Sequence, residues 1–379
     1  MDKVNRYRLN VLFIVILISL IGLFMVYDSS KVFALFHFND EFYYFKRQLL
    51  FLFVGFIGLF VGYKIPLKLI KKHVNSLLIV SYISLMLVIV PGIGIIRGGS
   101  SSWLGFNEFS FQPSELFKIA LIIFYALYLS KNFQKTNKLK NILLPLIMLI
   151  LGSLLIMLQP DFGTCMVIIL AIIIMLFCTR LNIKYFIFSI ILLIVFMVIL
   201  ILIAPYRLDR ITSFINPFED PLGSGFQMIQ SLFSISPGGL IGLGINGSIQ
   251  KHFYLPEPMT DFIFAIIVEE FGLIGGLIVI ILYGLLFYYS LKIIINTKDL
   301  FQAYFSLGLL ALFLVQVLIN LGVVVGVLPI TGITLPLISY GGSSLCVLLF
   351  SFGLLLHKEN QWKKEYFYLP HLQEDISFL

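Results

Sequence analysis

Ten apolar runs dominate this sequence, near 10–27, 48–64, 75–92, 114–130, 142–159, 161–178, 184–204, 262–290, 301–327 and 341–357. A helix needs about 20 apolar residues to cross roughly 30 Å of hydrocarbon, and these runs are that long or nearly so. In lipid, an open strand edge would leave backbone N–H and C=O groups unpaired, so the spans must be helices. The chain therefore reads as an all-α polytopic membrane protein, a single transmembrane domain over 1–379. Composition settles the alternatives. Apolar residues make up 60% and charged residues 12%, against about 25% charged in ordinary globular chains. That excludes a soluble enzyme, a disordered regulator and a disulfide scaffold. The three cysteines, Cys165, Cys178 and Cys346, lie in or beside apolar runs and read as small buried hydrophobes.

The net charge of +7 does not point to nucleic acid, because the basic residues sit in short clusters between apolar runs. Cytoplasmic loops carry such an excess of Lys and Arg. Ten spans place both termini on one side. With that side inside, the inner segments hold 18 Lys and Arg and the outer segments seven, which predicts N-in and C-in. The first 27 residues have the basic start and apolar run of a signal peptide. They lack a small-residue cleavage site, so a retained first helix is expected.

One outer segment, 205–260, is far longer than the others and rich in Gly and Pro. Loops of this length are usually functional or disordered, and its Phe, Leu and Ile content argues against disorder. Within it, 226–235 has a helical pattern: Gln227, Gln230, Ser231 and Ser234 on one side, Met228, Ile229, Leu232, Phe233 and Ile235 mostly opposite. Such a helix either lies on the membrane surface or packs on the bundle.

In so apolar a chain the informative residues are charges in or beside spans, each costly unless paired or facing water. Glu115 and Lys118 are i, i+3 at the start of the fourth span, placed to pair on one helix face. They form either a structural ion pair or the wall of an outward cavity where Lys118 also meets an anion. Asp161 opens the sixth span, where a first-turn carboxylate meets the helix dipole. Gln316 and Asn320 suit interhelical hydrogen bonding. The densest signal is YLPEPMTDFIFAIIVEE, 254–270. Thr260 or Asp261 can cap the eighth span, which sets Asp261 at the outer surface where the long loop ends. Glu269 and Glu270 lie two turns deeper and cannot both face lipid. Arg207, Arg210 and Lys251 are cations on the same side that can bind a phosphate or pyrophosphate. LPITG (328–332) and SYGGSS (339–344, with Ser343 and Ser344) flank the last span, and such turns allow close backbone approach to a ligand or a helix. No P-loop, HExxH, GxSxG or dinucleotide fingerprint is present. The constellation is compatible with a lipid substrate that carries a pyrophosphate.

QPSELFK (112–118), QPDFGT (159–164), NPFEDPLGSGFQ (216–227), SLFSISPGGLIGLG (231–244), YLPEPMTDFIFAIIVEEFG and LPITGITLPLISYGGSS together resemble the SEDS family of shape, elongation, division and sporulation proteins (FtsW, RodA, SpoVE). They run in family order over nearly the whole chain. QKHFYLPEP and DPLGSGFQ look more like the division and sporulation (FtsW/SpoVE-like) branches than the elongation branch. Met259 departs from the His that most often precedes the family's Thr-Asp.

The resemblance implies a peptidoglycan glycosyltransferase that polymerises lipid II into glycan strands on the outer face of the bacterial cytoplasmic membrane. It makes Asp261 the essential carboxylate, acting as general base in an inverting transfer that expels undecaprenyl pyrophosphate. Substrate-binding candidates are Lys118, Arg207, Arg210, Lys251, Gln227, Gln230 and Ser231. Glu115, Thr260, Glu269, Glu270, Ser343 and Ser344 form a supporting polar network. A divalent cation, Mg2+ or Mn2+, can assist, and no organic cofactor is implied. The implied partner is a class B penicillin-binding protein, the cross-linking transpeptidase. Two other readings stay open on the residues alone, a flippase for lipid-linked precursors and a non-catalytic division scaffold.

Overall fold

A computed structural model describes residues 3–97, 100–106, 109–132, 140–179, 181–202 and 205–358. In chain order the elements are α1 (Lys3–Phe38), α2 (Tyr43–Lys64), α3 (Leu67–Ile89), strands β1 (Ile95–Arg97), β2 (Ser100–Phe106) and β3 (Phe109–Phe111), α4 (Pro113–Lys131), α5 (Lys140–Leu158), α6 (Phe162–Phe177), α7 (Ile183–Leu202), α8 (Pro205–Ile215), α9 (Phe226–Ile235), α10 (Ile263–Ile295), α11 (Leu300–Val324) and α12 (Gly342–Leu356). Each apolar run of the sequence becomes a helix. Among the described residues, eight of these are long and apolar enough to cross a bilayer, and α6 and α12 are shorter apolar helices.

The ends differ from the sequence reading where polar residues find protein partners. In the sequence the first apolar run stops at Tyr27, before Asp28-Ser29-Ser30, yet α1 continues to Phe38. All three polar residues are buried. Ser29 donates back to the Met25 carbonyl at 2.7 Å, and Asp28 accepts from Lys251 at 2.8 Å. With the polarity of Asp28 and Ser29 absorbed, neither forces the helix to end there.

The chain divides into two compact units. One gathers the described residues of Met1–Phe56, Ile199–Ser290 and Phe313–Leu348; the other gathers those of Ile57–Val198, Leu291–Leu312 and Leu349–Leu379.

In the second unit, α3 packs on α4 and α5 on α6. The α5–α6 hairpin turns at Gln159-Pro160-Asp161, and Asp161 is the N-cap of α6, accepting from Thr164 N at 3.0 Å. The carboxylate thus caps the helix from just outside it, where the sequence reading has it meet the dipole from the first turn, and Gln112 also donates to it at 3.1 Å. The segment between α3 and α4 forms an antiparallel three-stranded sheet in the order β1-β2-β3. It is fastened to the hairpin by Ser102 Oγ, which donates to the Gln159 carbonyl at 3.2 Å.

In the first unit, α10 is broken. Gly272 has φ 66°, ψ −166° inside the helix, a conformation open chiefly to glycine. A Cβ there would strike the Leu240 carbonyl and Gly242 N. The segment after α9 fills that break.

Candidate active site

The long loop reaches α10 through Met259, Thr260 and Asp261. Three consecutive carbonyls are captured by donors from distant segments. Met259 O accepts from Tyr340 N at 2.8 Å. Thr260 O accepts from Ser339 Oγ at 2.6 Å. Asp261 O accepts from Asn320 Nδ2 at 2.7 Å. The same Asn320 amide donates to Ile333 O at 2.7 Å, and Ser339 Oγ accepts from Leu335 N at 2.8 Å. Gln48 completes the clamp. It donates to Ser339 O at 3.2 Å and accepts from Gly341 N at 3.4 Å. The backbone of the Thr-Asp pair is thereby held from three directions.

Asp261 itself is half-buried. Its Oδ2 lies 3.7 Å from where a Cβ on Gly332 would stand, and Gly332 has φ +74°. The carboxylate therefore borders one backbone position that carries no side chain. Two residues away, the Ile330 carbonyl accepts from Arg210 Nη1 at 3.2 Å, and Arg210 is exposed. A cation and a carboxylate thus flank one loop, 330–332. Neither Thr260 nor Asp261 begins α10 as expected of a cap. Phe262 supplies the first carbonyl, to Ala265 N at 2.9 Å, while the Thr260 hydroxyl donates to Glu257 Oε2 at 2.9 Å.

Two of the expected pyrophosphate ligands are committed elsewhere. Lys251 is buried, with Nζ 2.5 Å from Glu270 Oε1 and 2.8 Å from Asp28 Oδ2. Lys31 stands 3.7 Å from the other Asp28 oxygen. A lysine between two buried carboxylates is not available to an outside anion, so Lys251 is corrected to a structural cation. Lys118 is buried in α4 and paired with Glu115 at 2.8 Å, which matches the ion-pair alternative. Burial of that pair is not the geometry of an open cavity wall.

Glu269 and Glu270 are both fully buried, and both have protein partners rather than lipid. Glu269 accepts from Ser248 Oγ at 2.6 Å, Ser234 Oγ at 3.0 Å and Ile249 N at 2.8 Å. Beside Lys251, Glu270 also accepts from Ser248 N at 3.2 Å.

The helix foreseen at 226–235 is α9, but its hydroxyl side faces inward. Ser231 is fully buried and donates to Val324 O at 2.9 Å, so its hydroxyl is spent within the protein and not on a substrate as the sequence suggests. Gln227 and Gln230 are half-buried. Of α9's apolar residues, Met228 and Ile229 are buried and Phe233 is exposed. Ser343 (buried) and Ser344 (half-buried) stand in the first turn of α12. Arg207 lies on α8, and its side chain is outside the described residues.

Asp28 and Gln48 are the residues that sequence reasoning passed over, whereas Gly332 and Ser339 fall in the two turn motifs, LPITG and SYGGSS, read as allowing close backbone approach. The one available signal was the polar Asp-Ser-Ser after the first apolar run. Among the described residues no three His, Cys, Asp or Glu side chains gather as a metal cage.

The motifs that carry this geometry are those of a known group. The FtsW/RodA/SpoVE family, described as "Cell cycle protein", matches residues 8–364. The chain is 44% identical over 345 residues to stage V sporulation protein E of Bacillus subtilis (strain 168), covering 91% of this chain and 94% of that protein. It is 39% identical over 358 residues to the probable peptidoglycan glycosyltransferase FtsW of Trichlorobacter lovleyi, covering 94% and 93%. Among solved structures, a chain from work on the structural coordination of polymerization and crosslinking by a peptidoglycan synthase complex aligns with TM-score 0.74 at 29% identity, over 91% of this chain and 95% of that one. Rod shape determining protein RodA of Thermus thermophilus aligns with TM-score 0.66 at 25% identity, over 91% and 94%. The chain belongs to the FtsW/RodA/SpoVE family.

Proposed function

We propose that this chain is a peptidoglycan glycosyltransferase that polymerises lipid II, with Asp261 as general base. The activity named for its FtsW relatives supplies the reaction class. The observation that carries the assignment of residues is the threefold capture of the 259–261 backbone beside the side-chain-free Gly332. A general base must meet the proton it removes at hydrogen-bond distance and in a fixed direction. A clamped main chain next to a position without a side chain supports that reading.

In the reaction, the acceptor sugar's 4-hydroxyl oxygen attacks C1 of the donor sugar and gives its proton to the Asp261 carboxylate. The C1–O bond to pyrophosphate breaks, and its electron pair leaves with undecaprenyl pyrophosphate. Attack from the opposite face inverts C1 through an oxocarbenium-like state. Pyrophosphate is a good leaving group, so charge neutralisation suffices in place of an acid. Arg210, exposed and donating to the Ile330 carbonyl, is the candidate for that. A divalent cation accompanying the pyrophosphate would add to that neutralisation, and no step above depends on it.

The positive-inside count of 18 to seven supports placing the Asp261 side outside the cytoplasmic membrane. The whole chain acts as one transmembrane domain in this reading, and a class B penicillin-binding protein is the partner that would cross-link its product. The deciding experiment is purified protein with lipid II. Wild type should form glycan chains and Asp261→Asn should form none. Undiminished polymerisation by that variant would overturn the mechanism. Translocation of lipid II without polymerisation would make the chain a flippase instead.

A further inference from the structure

The segment joining α9 to Lys251 has a surface that neither the catalytic reading nor the family assignment explains. Residues 221–250 contain no Asp, Glu, Lys, Arg or His. Within that stretch, Leu240 is 68% exposed and Ile241 79%, and Leu243, Ile245 and Ile249 are also exposed. They adjoin the outer face of α10 just past its break, where Leu273, Ile274, Leu277 and Ile278 are exposed in the same way. Before the break the pattern is opposite, since every residue of α10 from Ile263 to Glu270 is buried. The exposed face of a membrane-spanning helix meets acyl chains, and the 240–245 side chains extend that face without interruption.

An irregular segment enters hydrocarbon at a lower cost the more of its backbone polar groups protein satisfies. Here several are paired with protein. Gly242 N donates to Gly238 O at 2.7 Å, Leu243 N to Glu269 O at 2.9 Å and Gly244 N to Glu270 O at 3.0 Å. In return Gly239 O accepts from Leu273 N at 2.9 Å, and Leu240 O from Ile274 N at 3.1 Å. The broken helix and the loop thus exchange the hydrogen bonds that each lacks alone. Beneath, Glu269 holds Ser248 and Ile249, and Glu270 holds Ser248 and Lys251. The polar side of the segment is locked inward and the apolar side is held outward.

We propose that residues 239–245 form a rigid apolar wedge inserted into the hydrocarbon layer of the bilayer beside α10. An aqueous position would leave an apolar patch continuous with a membrane span in water, which soluble surfaces rarely do. The proposal stands whether or not Asp261 is the base.

The test is tryptophan fluorescence of the full chain, one copy per nanodisc, with Trp103 and Trp362 replaced by Phe. Ile241→Trp is compared with Leu277→Trp on the lipid face of α10 and with Leu222→Trp in the exposed part of the loop. Lipids carrying dibrominated acyl chains should quench Ile241→Trp about as strongly as Leu277→Trp, and should spare Leu222→Trp. Red-shifted, unquenched emission from Ile241→Trp would place the segment in water and overturn the proposal. Blue-shifted but unquenched emission would mean that protein covers the patch, which also overturns it. Leu240→Trp, at a second exposed position, serves as the reporter if Ile241→Trp does not fold.

Discussion

Asn320 donates its side-chain amide to the main-chain carbonyl of Asp261 at 2.7 Å and, from the same nitrogen, to Ile333 at 2.7 Å. One side chain on α11 therefore spans the loop that bears the proposed base and the loop that borders it. Asn320→Leu keeps the volume and removes both donors. Two carbonyls lose their partner, at about 1–3 kcal/mol each, and Asp261 is free to shift. A displacement near 1 Å can cost on the order of 10²-fold in rate. The expected outcome is a kcat lowered by that order with KM for lipid II little changed, read by polymerisation kinetics. Equal loss of folded protein and of activity in thermal melts would make Asn320 merely structural. Wild-type kcat in Asn320→Leu beside a dead Asp261→Ala would remove the clamp and leave the base.

Lys251 offers a stability prediction. Its side chain is 1% exposed, and those of Asp28 and Glu270 are 3% and 0%. Lys251→Met leaves two carboxylates buried together with their shared counter-charge gone. Breaking a buried ion pair from one side costs about 3–5 kcal/mol, so the variant should melt well below wild type in detergent. Adding Asp28→Asn and Glu270→Gln should restore most of the loss, because no uncompensated charge then remains. Failure of the triple variant to recover would show that Lys251 acts by more than pairing.

Much of this architecture was legible because a membrane span is a local property. A long apolar run can satisfy its backbone only as a helix, so the positions of α1 to α7 and α10 to α12 follow from composition alone. What the sequence hid is long-range. Lys251 looks like a free loop cation, and the residue that neutralises it, Asp28, is 223 positions away. Asp28 looks like the end of a span for the same reason. The break at Gly272 sits in a run, EEFGLIGG, that reads as one continuous helix. Only the backbone of 239–244 filling the gap makes the break stable. Asp261 was found through the family motif, whereas its clamp by Gln48, Asn320 and Ser339 depends on three segments that only the fold brings together.

Asp220 gives a pH dependence in the long loop. Its carboxylate accepts from Ser224 N at 2.8 Å, Gly223 N at 3.1 Å and Ser224 Oγ at 3.2 Å. The hydrogen bond from Ser224 N, ahead of the others, holds its pKa below the ordinary aspartate value. A carboxylate whose folded pKa is depressed stabilises the turn above its unfolded pKa, about 3.9, and loses that contribution as pH falls through the lower folded value. Protease cleavage at 220–225 should therefore stay slow and flat above about pH 5. Asp220→Ala should be cleaved faster at neutral pH. Equal cleavage of the two proteins at neutral pH would show that the turn holds without the carboxylate.

Gly332 and Gly92 separate backbone strain from access to the proposed base. Both have positive φ, +74° and +87°. Alanine at either should cost about 1–2 kcal/mol, the usual penalty for an L-residue in that region. The surroundings differ. Nothing lies within 4 Å of a Cβ on Gly92, whereas a Cβ on Gly332 stands 3.7 Å from Asp261 Oδ2. That is ordinary van der Waals contact, so the added methyl fits the fold but occupies space beside the carboxylate where the acceptor sugar would lie. Gly332→Ala and Gly92→Ala should lower the melting temperature to a similar degree. Only Gly332→Ala should lower kcat/KM for lipid II, and Gly332→Val should lower it further. If Gly332→Ala keeps wild-type kcat/KM, substrate reaches Asp261 from a side other than the 330–332 loop.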